Sequence, residues 1–378
     1  MNDIIKIIAY YLPQFHTFKE NDEWWGKGFT EWRSVKNAKP LYKQHNQPRV
    51  PLNDNYYDLT DKKALKWQAD LAKKYGIYGF CYYHYWFDGH MLMEKPMEIM
   101  LENKDIDLPF CICWANENWT RAWADSSKEV LISQTYGDKN DWKKHFYYFL
   151  KFFNDERYIY KDDKPILVIY RPEIIPTLRE MLEYWNVLAK RNGLNGICYM
   201  YQQCDFDHTK DLNGDLFDYE IEYQPGRVKG YNPNLPRKQQ QSLSLPVVIR
   251  KSLNELSLKL KLPLTSWSTV RYDYDEAWKR ILKMMPKDEK VIPGAFVDWD
   301  NTPRYKEKGS FYSGVTPQKF EYYLTKQIEH AKKDYHQDML FIFAWNEWGE
   351  GGYLEPDKKW SYGMLEAVKN ALEKTTNQ

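Results

Sequence analysis

The chain has 378 residues and a formal net charge of +1, so its overall charge does not favour nucleic acid or a strongly acidic partner. Its five cysteines are an odd number, which is typical of reduced core residues rather than a disulfide framework or a metal cluster. The N-terminus lacks a signal-peptide pattern and no apolar run approaches the roughly 20 residues of a membrane span, so we expect a cytoplasmic protein without a transmembrane segment.

Eight short apolar segments recur along the chain and are predicted to be buried parallel strands. They are Ile4–Tyr10, Ile77–Tyr85, Pro109–Trp114, Pro165–Tyr170, Gly196–Gln202, Leu216–Ile221, Val291–Val297 and Met339–Trp345. Amphipathic segments between them predict helices, namely Thr60–Lys74, Asp141–Phe153, Ile175–Arg191, Asp275–Met285 and Thr316–Lys333. This alternation predicts the α/β class and a single (β/α)8 TIM barrel over residues 1–378. A doubly wound sheet is disfavoured because no G-x-G-x-x-G or P-loop is present.

Two segments interrupt the strand–helix alternation. Residues Tyr11–Asn55 are predicted to form a long, irregular first βα loop, and residues 223–274 an insertion or lid between the sixth and seventh strands. Within the insertion, residues 227–262 carry eight Lys or Arg against one Glu. A solvated helical insertion is the favoured interpretation, with a basic lid over an anionic ligand and a membrane-surface contact as alternatives.

The residues that follow the predicted strands carry the functional signal, because the catalytic groups of (β/α)8 barrels lie at the carboxyl ends of strands. Nearly every such end combines Trp or Tyr with a carboxylate, amide, His or Arg, in a chain that is 17% aromatic. This pattern indicates a cleft that grips carbohydrate, although a generally tyrosine-rich composition is an alternative. The candidate substrate-binding residues are Tyr10, Tyr11, Gln14, His16, Glu31, Trp32, His84, Trp86, Trp114, Asn116, Glu117, Trp119, Arg121, Asp298, Trp299, Asp300, Trp345, Asn346 and Trp348.

Several of these candidates have a structural alternative. A lone histidine at a strand end is often a buried structural group instead of a ligand-binding one. An ion pair between Arg304 and the aspartates at 298 and 300 would likewise be structural.

The strongest candidates are the two glutamates of the segment FAWNEWGEGGYLEP, Glu347 and Glu350. On a continuing strand, residues three apart point to opposite faces, so these two share a site only if the chain turns, as Gly349, Gly351 and Gly352 permit. Two convergent carboxylates suit glycosidic bond chemistry, where one protonates the leaving oxygen and the other acts at the anomeric side. Like charge and aromatic burial raise one pKa, so that a neutral acid exists near pH 7. The alternative is a pair of loop charges in solvent.

Long strings of this sequence resemble a known family. AYYLPQFH and WNEWGEG are similar to glycoside hydrolase family 99, and together with ENDEWWGKGFTEW and CWANENWTRAW they resemble more closely the WbsX group, whose members carry a family 99-like domain. Proteins of that group are often described as glycosyltransferases of O-antigen or capsule loci. The resemblance extends from Ile7 to Pro356.

The resemblance implies a (β/α)8 barrel and a retaining mechanism on α-linked sugars through a 1,2-anhydro sugar. It implies that Glu347 is the base on the substrate 2-hydroxyl and that Glu350 is the general acid and then the general base, without metal or cofactor. Two positions depart from family 99: Gly349 replaces a common His, and Gly352 stands where Thr is usual. Both lie near the reacting sugar, so α-mannose specificity is not carried over.

Three functions remain open at this stage. The favoured one is a retaining glycoside hydrolase, with endo action or transglycosylation open, on an α-linked oligo- or polysaccharide such as O-antigen or capsule. The second is a nucleotide-sugar glycosyltransferase of lipopolysaccharide or capsule biosynthesis, for which Asp-x-Asp occurs at positions 105, 205, 273 and 298 but in no nucleotide-binding context. The third is a non-catalytic glycan-binding barrel, which leaves the glutamates unexplained. The sugar, the linkage and the oligomeric state stay open.

Overall fold

A computed structural model describes residues 4–42, 44–120, 129–204, 215–230 and 269–376. Nine parallel strands in this part of the chain form a nearly closed barrel. They are β1 Lys6–Tyr11, β2 Gly79–Phe87, β3 Phe110–Trp114, β4 Lys164–Ile169, β5 Cys198–Gln203, β6 Tyr219–Glu222, β7 Val291–Ile292, β8 Gly294–Phe296 and β9 Met339–Phe343.

The barrel closes through a split strand. Strands β7 and β8 are separated only by Pro293, which has no N–H to donate to a sheet ladder. On one side Val291 of β7 lies opposite Glu220 of β6, and on the other Gly294 of β8 lies opposite Phe341 of β9. Strand β1 completes the ring by pairing with both β2 and β9. The eight predicted apolar segments therefore each contribute to the barrel, and the predicted (β/α)8 architecture is confirmed.

Helices cover the outside of the barrel and connect its strands. The described helices are α1 Lys19–Trp25, α2 Glu31–Asn37, α3 Lys62–Lys74, α4 Lys95–Glu102, α5 Lys139–Phe153, α6 Leu178–Arg191, α7 Gly226–Gly230, α8 Tyr274–Ile281, α9 Thr302–Tyr305, α10 Pro317–Lys333 and α11 Gly363–Thr376. The five predicted helices correspond to α3, α5, α6, α8 and α10. At the start of α10, the Thr316 side chain accepts the Lys319 N–H at 3.2 Å and Pro317 follows it, as a helix start requires.

Short strands and 3-10 turns complete the described structure. The short strands are His90–Leu92, Trp119–Thr120, Val130–Ile132, Tyr160–Lys161, Val270–Asp273, Ser310–Ser313, Asn346–Glu347 and Gly352–Tyr353. The 3-10 turns are Leu52–Asp54, Pro172–Ile174, Lys306–Lys308 and Trp348–Glu350. Several of these elements lie between the barrel strands and the helices that follow them, where the site is built.

The first βα loop is more ordered than the sequence predicts, since it contains α1, α2 and one of the 3-10 turns. The prediction of an irregular loop is wrong in this respect, because tertiary packing of Trp32 stabilises α2. The Trp32 ring packs 4.5 Å from Phe15 and 5.5 Å from Trp348, measured between ring centroids, and its Nε1–H donates to the Tyr57 carbonyl at 2.8 Å. These contacts fix the amino-terminal end of α2 against the segment after β9.

The insertion at residues 223–274 is described only at its two ends. Helix α7 lies at its start, and Val270–Asp273 pairs in parallel with Ser310–Ser313 at its end. Most of the basic segment 227–262 lies outside the described residues. Among the helices that are described, none is both long enough and apolar enough to cross a bilayer.

The barrel interior is filled with apolar and aromatic side chains. Strands β2, β3 and β9 are buried along their whole length. All five cysteines are buried thiols.

Candidate active site

A cavity of about 640 Å³ opens at the carboxyl ends of the barrel strands. This is the size of pockets that enclose small ligands, and the position is where barrel enzymes place their sites. Its lining combines aromatic rings with charged and amide groups: Leu12, Tyr83, Tyr85, Ala115, Glu117, Asn118, Trp119, Thr120, Gln134, Tyr136, Tyr170, Arg171, Ile174, Tyr223, Arg304, Phe343, Glu347 and Glu350.

The segment after β9 turns back on itself and brings the two predicted glutamates together. Asn346–Glu347 pairs antiparallel with Gly352–Tyr353, and a 3-10 turn lies between them. The turn ends at Gly351, whose φ of +67° favours glycine. Inside the turn, Glu347 Oε1 accepts the backbone N–H of Glu350 at 3.2 Å. Both carboxylates consequently line the same cavity, as the glycine pattern predicts.

Asn346 holds this turn against the end of the first barrel strand. Its side-chain oxygen accepts the Leu12 N–H at 2.8 Å, and its side-chain nitrogen donates to the Leu12 carbonyl at 2.9 Å. The amide thus replaces a pair of sheet hydrogen bonds beyond the end of β1. Asn346 is buried and positions Glu347 without lining the cavity itself.

Arg304, the third residue of α9, bridges the two glutamates. Its Nη2 lies 3.0 Å from Glu347 Oε1, its Nη1 lies 2.9 Å from Glu350 Oε1, and its Nε lies 2.9 Å from Glu31 Oε1. Only 3% of the arginine side chain is exposed. A buried guanidinium with each nitrogen on a different carboxylate is a rigid clamp that fixes the orientation of all three acids.

The electrostatics of the cluster favour retention of a proton. Burial, with the like charges of Glu350 and Glu31, raises the pKa of Glu347 to about 8, although Arg304 opposes the shift. Burial also raises the pKa of Glu350, against the opposing charges of Arg304 and Lys229. Three carboxylates around one guanidinium would carry a net negative charge in a buried site, so a neutral carboxylic acid persists at neutral pH.

Two glycines near the glutamates are required by close packing. A Cβ on Gly349 would collide with the Glu31 carboxylate and would lie 2.8 Å from Arg304 Nε, so the Glu31–Arg304 ion pair occupies the space of a side chain. A Cβ on Gly352 would lie 2.6 Å from Cδ1 of Phe343, whose ring lines the cavity. These contacts give physical reasons for both departures from the family 99 pattern.

The opposite wall of the cavity comes from the segments after β3 and β4. Glu117 forms an ion pair with Arg171, which also contacts Glu173. Asn116 supports this pair, because its side chain bonds the Arg171 backbone N–H at 2.8 Å and carbonyl at 2.7 Å. Glu117 and Trp119 line the cavity, whereas Asn116 lies behind it.

Some predicted residues lie on the outer face of the barrel wall instead of in the cavity. His84 Nε2 lies 2.9 Å from Nε2 of His145 on α5, and Trp86 and Trp114 pack against the same imidazole with centroids 4.3 and 4.9 Å away. Burial lowers the pKa of His84 to about 3, so the His84 side chain is neutral near pH 7. The described geometry gives these three residues a packing role between β2, β3 and α5.

Other predicted residues are buried around the cavity without lining it. Tyr11 donates to Gln68 Oε1 at 2.7 Å, and Trp348 donates to Glu355 Oε2 at 2.6 Å. The remaining members of this buried set are Tyr10, Gln14, His16, Trp32 and Trp345. Arg121 lies outside the described residues.

The aspartates after β8 form a separate, sealed cluster. Arg49 Nη2 lies 2.8 Å from Asp298 Oδ2, and Asp300 Oδ2 is bonded by His45 at 2.9 Å and by Gln47 at 2.8 Å. Although burial opposes it, the hydrogen bond from His45 and the charge of Arg49 hold the pKa of Asp300 below its usual range. The sequence left open a structural ion pair between an arginine and these aspartates. Such a pair is present, but its arginine is Arg49 and not Arg304. Trp299 packs 5.5 Å from Phe343, behind the cavity wall.

Sequence reasoning missed much of the aromatic lining and the central role of Arg304. Tyr83 and Tyr85 line the cavity, whereas His84 and Trp86 on the same strand point away from it. Residues two apart on a strand share a face, so the predicted residues His84 and Trp86 lie together on the face opposite the cavity. The other cavity residues that were not predicted include Tyr136, Tyr170, Arg171 and Tyr223.

Within the described residues, no group of three or more His, Cys, Asp or Glu side chains is arranged to hold a metal ion. The Asp-x-Asp aspartates of this part of the chain have other partners: Asp105 pairs with Lys62, Asp107 with Lys73, and Asp275 with Lys319. The motif at position 205 lies outside the described residues.

Comparison with known proteins agrees with the fold. The family model described as Glycosyltransferase WbsX matches residues 7–368. The chain belongs to the WbsX family. Two strains of Xanthomonas campestris pv. campestris, B100 and ATCC 33913, each have a relative called "Uncharacterized protein WxcX" that is 33% identical over 369 residues, or 97% of this chain. The match covers 49% of each relative, so this WbsX-family chain spans about half their length.

Solved structures with the same fold include glycoside hydrolases. The GH99 endo-α-mannosidase of Bacteroides thetaiotaomicron, in complex with BIS-TRIS-propane, covers 100% of this chain and 98% of its own with a TM-score of 0.55 and 11% identity. A protein described as glycoside hydrolase-like has a TM-score of 0.55 and 12% identity, covering 98% of this chain and 94% of its own. At such low identity these likenesses show that the WbsX chain shares the barrel fold.

Proposed function

We propose that this WbsX-family protein is a carbohydrate-active enzyme that cleaves or transfers an α-linked glycosidic bond with retention of configuration. The observation that carries the proposal is the convergence of Glu347 and Glu350 on one aromatic-lined cavity, bridged by one buried arginine. Two carboxylates, one neutral and one ionised, are the groups that such a reaction needs.

The proposed roles follow from how each glutamate faces the cavity. Glu350 has 18% of its side chain exposed against 2% for Glu347, so Glu350 is the more accessible to a leaving group that enters the cavity. In the free protein the raised pKa of Glu347 keeps a proton on the pair. We propose that this proton passes to Glu350 in the substrate complex, where Glu350 is the general acid and the ionised Glu347 is the base that takes the proton of the substrate 2-hydroxyl. The 2-oxygen then displaces the leaving group, which receives the Glu350 proton, and a 1,2-anhydro sugar forms.

The second half of the reaction regenerates both groups. Glu350, now ionised, takes a proton from the incoming hydroxyl as that hydroxyl attacks the anomeric carbon. The opened 2-oxygen recovers its proton from Glu347. The acceptor is water in hydrolysis and a sugar hydroxyl in transglycosylation, so the two activities differ only in what enters the cavity.

The proposed substrate is a bacterial surface polysaccharide such as O-antigen or capsule. Proteins of the WbsX group are often described as glycosyltransferases of O-antigen or capsule loci, which supports a role with such glycans. The mixed lining of aromatic rings and polar groups suits a neutral, hydroxyl-rich ligand. In this proposal the enzyme trims or remodels the glycan during its assembly.

A paired assay tests the proposal. One sample contains the purified protein, EDTA and surface polysaccharide from the source strain, and new reducing ends or transfer products are sought by mass spectrometry. A second sample contains a nucleotide-sugar pool and divalent metal, and released nucleotide is measured. We expect products in the first sample that disappear with Glu350→Gln and persist with Glu180→Gln, a matched change on the exposed surface of α6.

The family description favours a second candidate, a nucleotide-sugar glycosyltransferase. Release of nucleotide in the second sample alone would contradict the glutamate mechanism and support this candidate. Binding of the polysaccharide without products in either sample would instead support a glycan-binding barrel.

A further inference from the structure

The arginine that bridges the glutamate pair has a third carboxylate, which comes from a distant part of the chain. Glu31 is the first residue of α2, and 273 residues separate it from Arg304. Its side chain is buried, and its Oε1 accepts the Arg304 Nε–H at 2.9 Å. The cavity lining does not include Glu31, so this carboxylate acts from behind the arginine.

This contact fixes the rotation of the guanidinium. The Nε–H and the two terminal nitrogens of arginine lie in one plane, so a partner at Nε decides where the other two nitrogens point. With Glu31 at Nε, Nη1 and Nη2 face Glu350 and Glu347. Gly349 makes room for this arrangement, because a side chain there would collide with Glu31.

We infer that Glu31 is a positioning residue of this site: through Arg304 it orients the clamp on the glutamate pair and sets the pH at which the pair loses its proton. The inference rests on the proposed function for its catalytic consequence, but the contact itself does not. Glu31 neither touches the cavity nor takes part in bond breaking.

The sign of the effect follows from the charges that face the pair. Besides Arg304 and Glu31, these groups are Lys229 of α7, Tyr85 of β2, Tyr305 of α9, and Tyr170 and Tyr223 after β4 and β6. Burial raises the pKa of each of these tyrosines, so they stay neutral near pH 7. Removal of the Glu31 charge ends its repulsion of the glutamate pair. It also leaves Glu347 and Glu350 as the carboxylates that Arg304 contacts, and both changes lower the pKa values of the pair.

The test compares Glu31→Gln, which keeps the shape but not the charge, with Glu31→Asp, which keeps the charge but shortens the side chain. We expect the alkaline limb of the kcat/KM profile to move to lower pH by about 1 unit in E31Q, a roughly ten-fold loss above the limb. We expect E31D to move it in the same direction by a smaller but measurable amount, because the charge is kept while the shorter side chain no longer holds the Arg304 Nε–H in place. Glu180→Gln, the same chemical change on the exposed surface of α6, should leave the limb in place.

A second readout does not need a substrate. Carboxyl protonation is followed by infrared difference spectroscopy of the free protein across the same pH range, with E347Q identifying the Glu347 signal. The carboxyl signal should disappear at lower pH in E31Q than in the unchanged protein. This result would hold even if no glycan is cleaved, so failure of the proposed function is distinguishable from failure of this inference.

The opposite outcomes would overturn the inference. A purely structural Glu31 predicts that E31D, which leaves a gap, shifts the titration more than the isosteric E31Q, or that folded E31Q titrates as the unchanged protein does. Circular dichroism and the midpoint of thermal unfolding establish that each variant is folded. If E31Q does not fold, an unmoved titration in folded E31D would count against the inference.

Discussion

Two acidic clusters lie at the ends of neighbouring strands, and they contrast in one respect. Asp298 and Asp300 follow β8, Glu347 and Glu350 follow β9, and each pair has one buried arginine. The aspartates are enclosed by residues of the first βα loop, whereas the glutamates open on the 640 Å³ cavity. A pair of carboxylates at the end of a barrel strand therefore indicates a catalytic site only where the carboxylates also line a cavity that can hold a substrate.

The balance of partners explains the contrast. Around Asp300 the donors satisfy the carboxylate, since His45, Gln47 and Thr302 all bond it. Around Arg304 the carboxylates exceed what one guanidinium neutralises. Asp300 is therefore held ionised within the first cluster, whereas the second cluster keeps a proton available.

The largest expected effect is on turnover at the glutamate pair. Glu350→Gln should reduce kcat on a natural glycan by about 10²- to 10⁴-fold, the contribution of general acid–base catalysis, and Glu347→Gln by at least ~100-fold with ligand binding kept. Steady-state rates and calorimetric binding check both changes. An E350Q protein that retains more than half of its turnover would contradict the assignment of the acid.

The aspartate cluster should respond in stability instead of turnover. Asp300→Asn leaves Arg49 and His45 with one anion fewer in a buried site, and we expect a loss of about 3–5 kcal/mol in the free energy of unfolding. Urea denaturation measures it. Turnover per folded molecule should stay within about two-fold, so a large loss of turnover at unchanged stability would erase the contrast between the clusters.

The pH dependence of stability should separate the clusters further. The pKa of Glu347 is raised in the folded protein to about 8 from an ordinary 4.5, so the fold binds this proton more tightly than the unfolded chain does. Its contribution therefore falls as pH rises through that window, at up to about 1.4 kcal/mol per pH unit. Glu347→Gln should flatten the decline, and urea titrations at several pH values measure it. An unchanged slope would contradict a proton held by Glu347.

A smaller effect is expected where packing shapes the cavity. Gly352→Ala places a Cβ against the Phe343 ring and should cost about 1–3 kcal/mol of stability, with a raised KM because that ring lines the cavity. Phe343→Leu in the same protein should recover part of the stability. If the double variant is no more stable than G352A alone, the ring is not what excludes a side chain at position 352.

The sequence predicts the barrel well because its strands differ sharply from their surroundings. Continuous apolar runs mark the strands, and the glycines around the glutamates predict the turn that unites them. The direction in which a strand residue points is harder to predict. Strand β2 is buried on both faces, so its sequence pattern does not distinguish Tyr83 and Tyr85 from His84 and Trp86. Long-range pairing is harder still: nothing local links Glu31 to Arg304, or Arg49 to Asp298.

The dependence of E350Q on the leaving group tests the central claim most directly. Once the released sugar is known, its aryl α-glycosides are compared as substrates of the unchanged protein and of E350Q, from poor to activated leaving groups, with EDTA present. We predict a steep dependence in E350Q, with turnover approaching that of the unchanged protein for an activated leaving group that needs no proton. Equal loss across the series would contradict Glu350 as the general acid, and full activity throughout would contradict the glutamate mechanism as a whole.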